Sequence, residues 1–119
     1  MPRTTSDPTG RFFAELAGRG HEPLLRKASG CTRFDVVEGR RIRRWFVLVD
    51  KGDVSVSREG GDARCIVRAD ARVFERIVTG RMNAVAAVLR GDLQVEGDWR
   101  LLVRIQRLFP GPRRSRTAA

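Results

Sequence analysis

Apolar positions recur along this chain with two different periods, and the switches between them outline the fold. Phe12, Phe13, Leu16 and Ala17 fall at i, i+1, i+4 and i+5 behind Asp7-Pro8, one face of a helix opened by a capping aspartate and a proline preset for the first turn. Gly18-Arg19-Gly20 ends it, and His21 to Leu25 reads as a loop or short turn turning its leucines inward. From Gly30 the period becomes two. Phe34 and Val36 alternate with charged neighbours, Glu38-Gly39-Arg40 turns, and Arg41–Val49 reads as a longer strand whose Trp45-Phe46-Val47-Leu48-Val49 is apolar on both faces, as in the middle of a covered sheet. Val54 and Val56 mark a third strand, and Arg64–Arg68 a fourth. Short strands joined by such loops predict an antiparallel meander.

Helical spacing returns after Asp70, with Val73, Phe74, Ile77 and Val78 on one face. Gly80 breaks that helix, and Asn83 is placed to cap Ala84–Leu89, which is apolar almost all round and so expected to be buried. Leu93 and Val95 alternate in one more strand. Gly97-Asp98 then opens a last helix with Leu101, Leu102, Ile105, Leu108 and Phe109 in one stripe. The expectation is one α+β domain over 11–109, with a flexible N-terminus at 1–10 and a basic, disordered tail at 110–119.

Length and charge refine this picture. One core is all that 119 residues allow. The net charge is +10, with Lys27 and Lys51 the only lysines among 24 basic residues. Such an excess attracts phosphates on nucleic acid, anionic lipid or a coenzyme, and arginine bias also follows from a GC-rich genome. Arg40, Arg41, Arg43 and Arg44 cluster on one hairpin, but the aromatics beside them lie in a buried-looking strand rather than interleaved as stacking platforms, which argues against nucleic acid. Two isolated cysteines and one histidine leave no expected metal site or disulfide framework. Nor is there a nucleotide motif or a nucleophile motif near His21, so neither a cofactor nor an enzymatic activity is expected. The N-terminus has no secretory apolar stretch and Arg116-Thr117-Ala118-Ala119 is not a peroxisomal address; a cytoplasmic location is the expectation.

The most specific signal is an ordered set of short motifs. Phe74-Glu75-Arg76-Ile77-Val78-Thr79-Gly80-Arg81-Met82-Asn83 is followed by Gly91-Asp92-Leu93-Gln94-Val95-Glu96-Gly97-Asp98, then by Leu102 and Arg104-Ile105-Gln106. This run resembles the sterol carrier protein type 2 family, with its T-G-K/R-M-N turn, its G-x-L-x-V/I-x-G-D/N strand and the L-x-x-K/R-I/L-Q of its last helix. The resemblance implies a five-stranded, mostly antiparallel sheet with helices packed on one face, enclosing an apolar tunnel that carries a fatty acid, fatty acyl-CoA or sterol-like lipid without chemistry. It nominates Phe74, Ile77, Val78, Met82, Val85, Val88, Leu89, Leu102 and Ile105 as tunnel walls, and alternation adds Phe34, Phe46 and Leu48 from the sheet. Arg41, Arg43 and Arg44 become candidates for a lipid carboxylate, a coenzyme A phosphate or an anionic membrane surface. The arginine content, the basic tail and the missing peroxisomal ending fit a bacterial stand-alone carrier, or a partner of a lipid-metabolising enzyme, better than an animal peroxisomal protein. Two readings compete with it: a non-enzymatic interaction module with a collapsed pocket, docking through Trp99 and Phe109, and a basic nucleic-acid-binding protein. Periodicity alone does not separate a filled interior from a hollow one.

Overall fold

The structure, a computed structural model, describes residues 7–109. The proposed tail at 110–119 and the first six residues lie outside them. Five strands, β1 (Ser29–Glu38), β2 (Arg41–Asp50), β3 (Asp53–Ser57), β4 (Cys65–Asp70) and β5 (Leu93–Gly97), form one sheet in the order β3-β2-β1-β4-β5. Four helices accompany it: α1 (Pro8–Arg19), α2 (Ala71–Val78), α3 (Ala84–Arg90) and α4 (Trp99–Ile105). Pro8–Gly10 form the first turn of α1. The meander is confined to β1–β3. β4 returns to the far side of β1 and runs parallel to it, while the other three pairings are antiparallel.

Local chemistry sets these boundaries. The β2–β3 turn places Lys51 and Gly52 at φ of 50° and 97°, the two left-handed residues of a hairpin turn that matches strand twist. Asp70, Asn83 and Asp98 cap α2, α3 and α4, each accepting from a backbone amide two or three residues on. Asp7 does not cap in this way; its carboxylate turns to the Arg43 guanidinium instead. Partial burial would raise its pKa, but the Arg43 hydrogen bond, the nearby Gly10 and Thr9 amides and the Arg43 charge together outweigh it and hold the carboxyl below its ordinary value. At Gly97 a Cβ would stand 2.3 Å from the carbonyl oxygen of Arg64, so only glycine lets β5 close against the start of β4.

Register decides which face each strand residue covers. Phe34 pairs with Trp45 on one side and Val67 on the other, Thr32 with Val47 and Cys65, and Val67 with Val95. These residues face the helices. The layer between is filled by rings: Phe13 stacks on Trp45 at 4.5 Å and lies parallel to Phe74 at 5.8 Å, while Phe34 meets Phe74 edge-on at 5.6 Å. Phe109 closes the cluster against Phe34 and Phe74. The opposite sheet face carries Cys31, Arg33, Asp35, Arg44, Phe46 and Leu48. There Asp35, 1% exposed, accepts from Arg33 Nε and Nη2 at 3.0 and 2.9 Å and from Arg44 Nε at 3.1 Å. These pairings satisfy a carboxylate that would be costly to bury alone.

Candidate functional site

The helical layer is closed over β1 and β2 but opens at the β5 end. α3 rests on β5, whereas α4 leans on β1 and β4. The two helices therefore stand on different strands, and an apolar cleft of about 160 Å³ runs between them, lined by Val85, Val88 and Leu89 of α3, Val95 of β5, and Trp99, Leu102 and Val103 of α4. Helical spacing explains the convergence. Val85, Val88 and Leu89 share a face of α3, and Trp99, Leu102 and Val103 share a face of α4. Two large apolar side chains stand at its rim, Leu89 at 82% exposure and Trp99 at 62%. Apolar surface exposed beside an apolar cleft is what makes this the candidate site.

The twelve residues nominated as tunnel walls separate into three groups. Val85, Val88, Leu89 and Leu102 line the cleft, Leu102 being buried in the core as well and Val88 packed against it. Phe34, Phe74, Ile77, Val78 and Ile105 are buried in the packed core, with Met82 half-buried against it. Phe46 and Leu48 are corrected: β2 register turns both to the face away from the helices. There Gly60 lies against the Phe46 ring, so close that a Cβ would meet it at 2.7 Å, and Leu48 is 49% exposed. The structure does not show the apolar tunnel expected between the layers; stacked rings fill the part of that layer where α1 and α2 meet β1 and β2. Val95, Trp99 and Val103 were not nominated. The alternation of Leu93 with Val95, and the i, i+3, i+4 spacing of Trp99, Leu102 and Val103, were the available signals.

The three nominated arginines do not converge. Arg41 and Arg43 lie on the helix-facing side of β2 and Arg44 on the other. Arg43 donates to Asp7, stands 4.7 Å over the Trp45 ring, and shares an open hollow of about 640 Å³ with Arg11 and Arg58. Arg44 is held by Asp35. With β1 and β4 between β2 and β5, at about 4.8 Å per strand, these arginines sit roughly 14 Å from the strand under the cleft. Basic residues nearer to it are Arg90 of α3 and Arg100 and Arg104 of α4. The last two border a separate hollow of about 310 Å³ with Lys27, Ser29 and Asp98 on the other flank of α4.

The two cysteines are poorly disposed for nucleophilic work. Burial, with the Asp98 carboxylate nearby, pushes the Cys65 thiol up to about 11, and burial also raises Cys31. Both thiols are therefore protonated near neutral pH and weak nucleophiles. His21 pairs with Asp53 through Nδ1 at 2.7 Å, on the exposed β3 end of the sheet. Among the described residues no three His, Cys, Asp or Glu side chains gather as a metal would require. No described helix is long and apolar enough to cross a membrane.

Comparison with known proteins places this architecture. The SCP-2 sterol transfer family matches residues 13–110. Sterol carrier protein 2 of Aedes aegypti, in complex with the C16 fatty acid palmitate, aligns with a TM-score of 0.66 at 19% identity, covering 84% of this chain and 92% of that one. Palmitated sterol carrier protein 2-like 2 of the same mosquito aligns at 0.66 and 15% identity, over 82% and 89%. The hydroxysteroid dehydrogenase-like protein 2 of Xenopus tropicalis is 24% identical over 106 residues, 87% of this chain but 25% of that protein. The chain thus spans about a quarter of that curated relative.

Proposed function

The chain belongs to the SCP-2 sterol transfer family, and from that premise we propose that it binds and carries a hydrophobic ligand non-catalytically, a fatty acid, fatty acyl-CoA or sterol-like lipid whose apolar part enters the cleft between α3, β5 and α4. The observation that carries this reading is the cleft itself. Its seven lining residues are apolar or aromatic, and they leave Leu89 and Trp99 unburied at its rim. The palmitate complexes of the mosquito proteins support a fatty acid as ligand class.

Size constrains the mechanism. A void near 150 Å³ holds a benzene-sized molecule, and drug-sized ligands occupy roughly 300–1,000 Å³. At about 160 Å³ the cleft admits the end of an acyl chain, so a full chain requires α3 and α4 to part. Their footing on different strands lets them part without breaking a strand pairing. Burying ~10 methylenes at ~0.8 kcal/mol each gives about 8 kcal/mol. Lost ligand freedom and the separation of the helices subtract several kcal/mol. Micromolar or weaker affinity follows.

Native mass spectrometry of the purified protein, followed by organic extraction, tests the class. A co-purifying lipid, or stoichiometric uptake of added palmitate, is the expected result. A protein that stays ligand-free at saturating palmitate, acyl-CoA and sterol contradicts the carrier reading.

A further inference from the structure

The rim of the cleft carries more than its lining needs. Leu89 and Trp99 are the two most exposed large apolar residues described, and both stand at the same cleft. At 100° per residue, Trp99, Arg100, Val103, Arg104 and Arg107 follow one another around a continuous arc of α4 and the turn after it. All but half-buried Val103 are exposed. Their charges are weakly compensated: Asp98 stands 3.7 Å from Arg100 Nε and Asp92 3.5 Å from Arg90 Nε. Among the described residues no carboxylate lies within ion-pair reach of Arg104 or Arg107. The whole chain adds a net charge of +10.

We propose that this face, formed by Leu89, Trp99, Arg100, Arg104 and Arg107, docks the protein on an anionic bilayer surface. An indole and a branched aliphatic chain protruding between arginines suit a headgroup layer, where the apolar groups enter the acyl boundary and the guanidiniums meet phosphates. A folded protein partner would need pockets shaped for two isolated protrusions, whereas a soft interface accepts them as they stand. Docked this way, the cleft opens onto the lipid. Binding to the bilayer needs no carried ligand; only the alignment of cleft and membrane rests on the carrier reading.

The test uses the full chain with vesicles of phosphatidylcholine alone and of phosphatidylcholine mixed with phosphatidylglycerol. Co-sedimentation with the anionic vesicles only, reversed by high salt, is expected. Each arginine near a charged surface contributes about fivefold in partitioning, so Arg100→Glu/Arg104→Glu together should lower it by at least about tenfold. Acyl chains brominated near the headgroup should quench the emission of the unmodified protein and leave Trp99→Phe nearly unquenched, since Trp45 is buried. This readout decides the matter even if the charge reversals perturb folding. Binding of a fatty-acid probe without vesicles separates the two proposals: the double variant should retain it. No sedimentation with anionic vesicles overturns the docking face, and so does sedimentation without quenching of Trp99.

Discussion

Phe13→Ala is expected to lower the unfolding free energy by about 3–5 kcal/mol, the cost of truncating a fully buried ring in a core that relaxes only in part. Phe13 is 1% exposed and is the ring shared by the aromatic cluster, in contact with Phe12, Phe34, Trp45 and Phe74. It is also what fixes α1 onto the sheet, since its stacking partner Trp45 belongs to β2. Removing it opens a void where four elements, α1, β1, β2 and α2, meet, and aromatic pairs contribute beyond their buried area. For a domain of this size a loss of that order lowers the melting temperature by more than about 10 °C, which chemical and thermal unfolding would both read. A loss below about 1 kcal/mol would mean that the rings do not pack as described, and that the interior has room for a ligand after all.

The second large effect falls on binding rather than stability. Val88→Glu is expected to weaken an environment-sensitive fatty-acid probe at least tenfold, about 1.4 kcal/mol, because a carboxylate aimed into the cleft must either stay solvated in the space the chain needs or be desolvated without a partner. Val88 is only partly buried on α3, so the fold should tolerate the change. Leu48→Glu supplies the contrast. The residue is half exposed on the opposite sheet face, and its replacement should leave probe binding where it was. Substituting Ile77, at 0% exposure, would report folding instead. Equal effects at Val88 and Leu48, or none at either, would remove the cleft as the binding site.

Much of the architecture could be read from the chain because local and global signals agree there. The caps Asp70, Asn83 and Asp98 sit where side-chain oxygens meet orphan amides, and a 3.6-residue period places Phe74, Ile77 and Val78 inward on α2. Alternation in β1 correctly turns Phe34 and Val36 to one face. In β2 it fails for a definite reason. Five apolar residues in a row, Trp45 to Val49, carry no parity, and a one-residue change of register exchanges the two faces. Only the pairing of Phe34 with Trp45 settles that Phe46 and Leu48 point away from the helices. The parallel return of β4 beside β1 was equally hidden, because loop composition between Ser57 and Cys65 says nothing about which strand the chain will rejoin.

The cleft was half legible. Val85, Val88, Leu89 and Leu102 carry the periodicity of a buried face, and a wall residue and a core residue share that pattern. What separates them is the third dimension: α3 and α4 rest on different strands, so their facing residues meet a gap, whereas Phe34, Phe74 and Ile105 meet other side chains. The basic residues misled for a related reason. Arg41, Arg43 and Arg44 are adjacent in sequence, but alternation splits them between faces, and Asp7 and Asp35 had to be brought from elsewhere to hold two of them.

The claim that the ligand enters between α3, β5 and α4, and not among the central rings, is tested most directly by isotope-filtered NOE spectroscopy with carbon-13-labelled palmitate. The expected spectrum connects the acyl chain to the methyl groups of Val85, Val88, Leu102 and Val103 and to the Trp99 indole. Cross-peaks to the rings of Phe13, Phe34 and Phe74 without those methyls would contradict it.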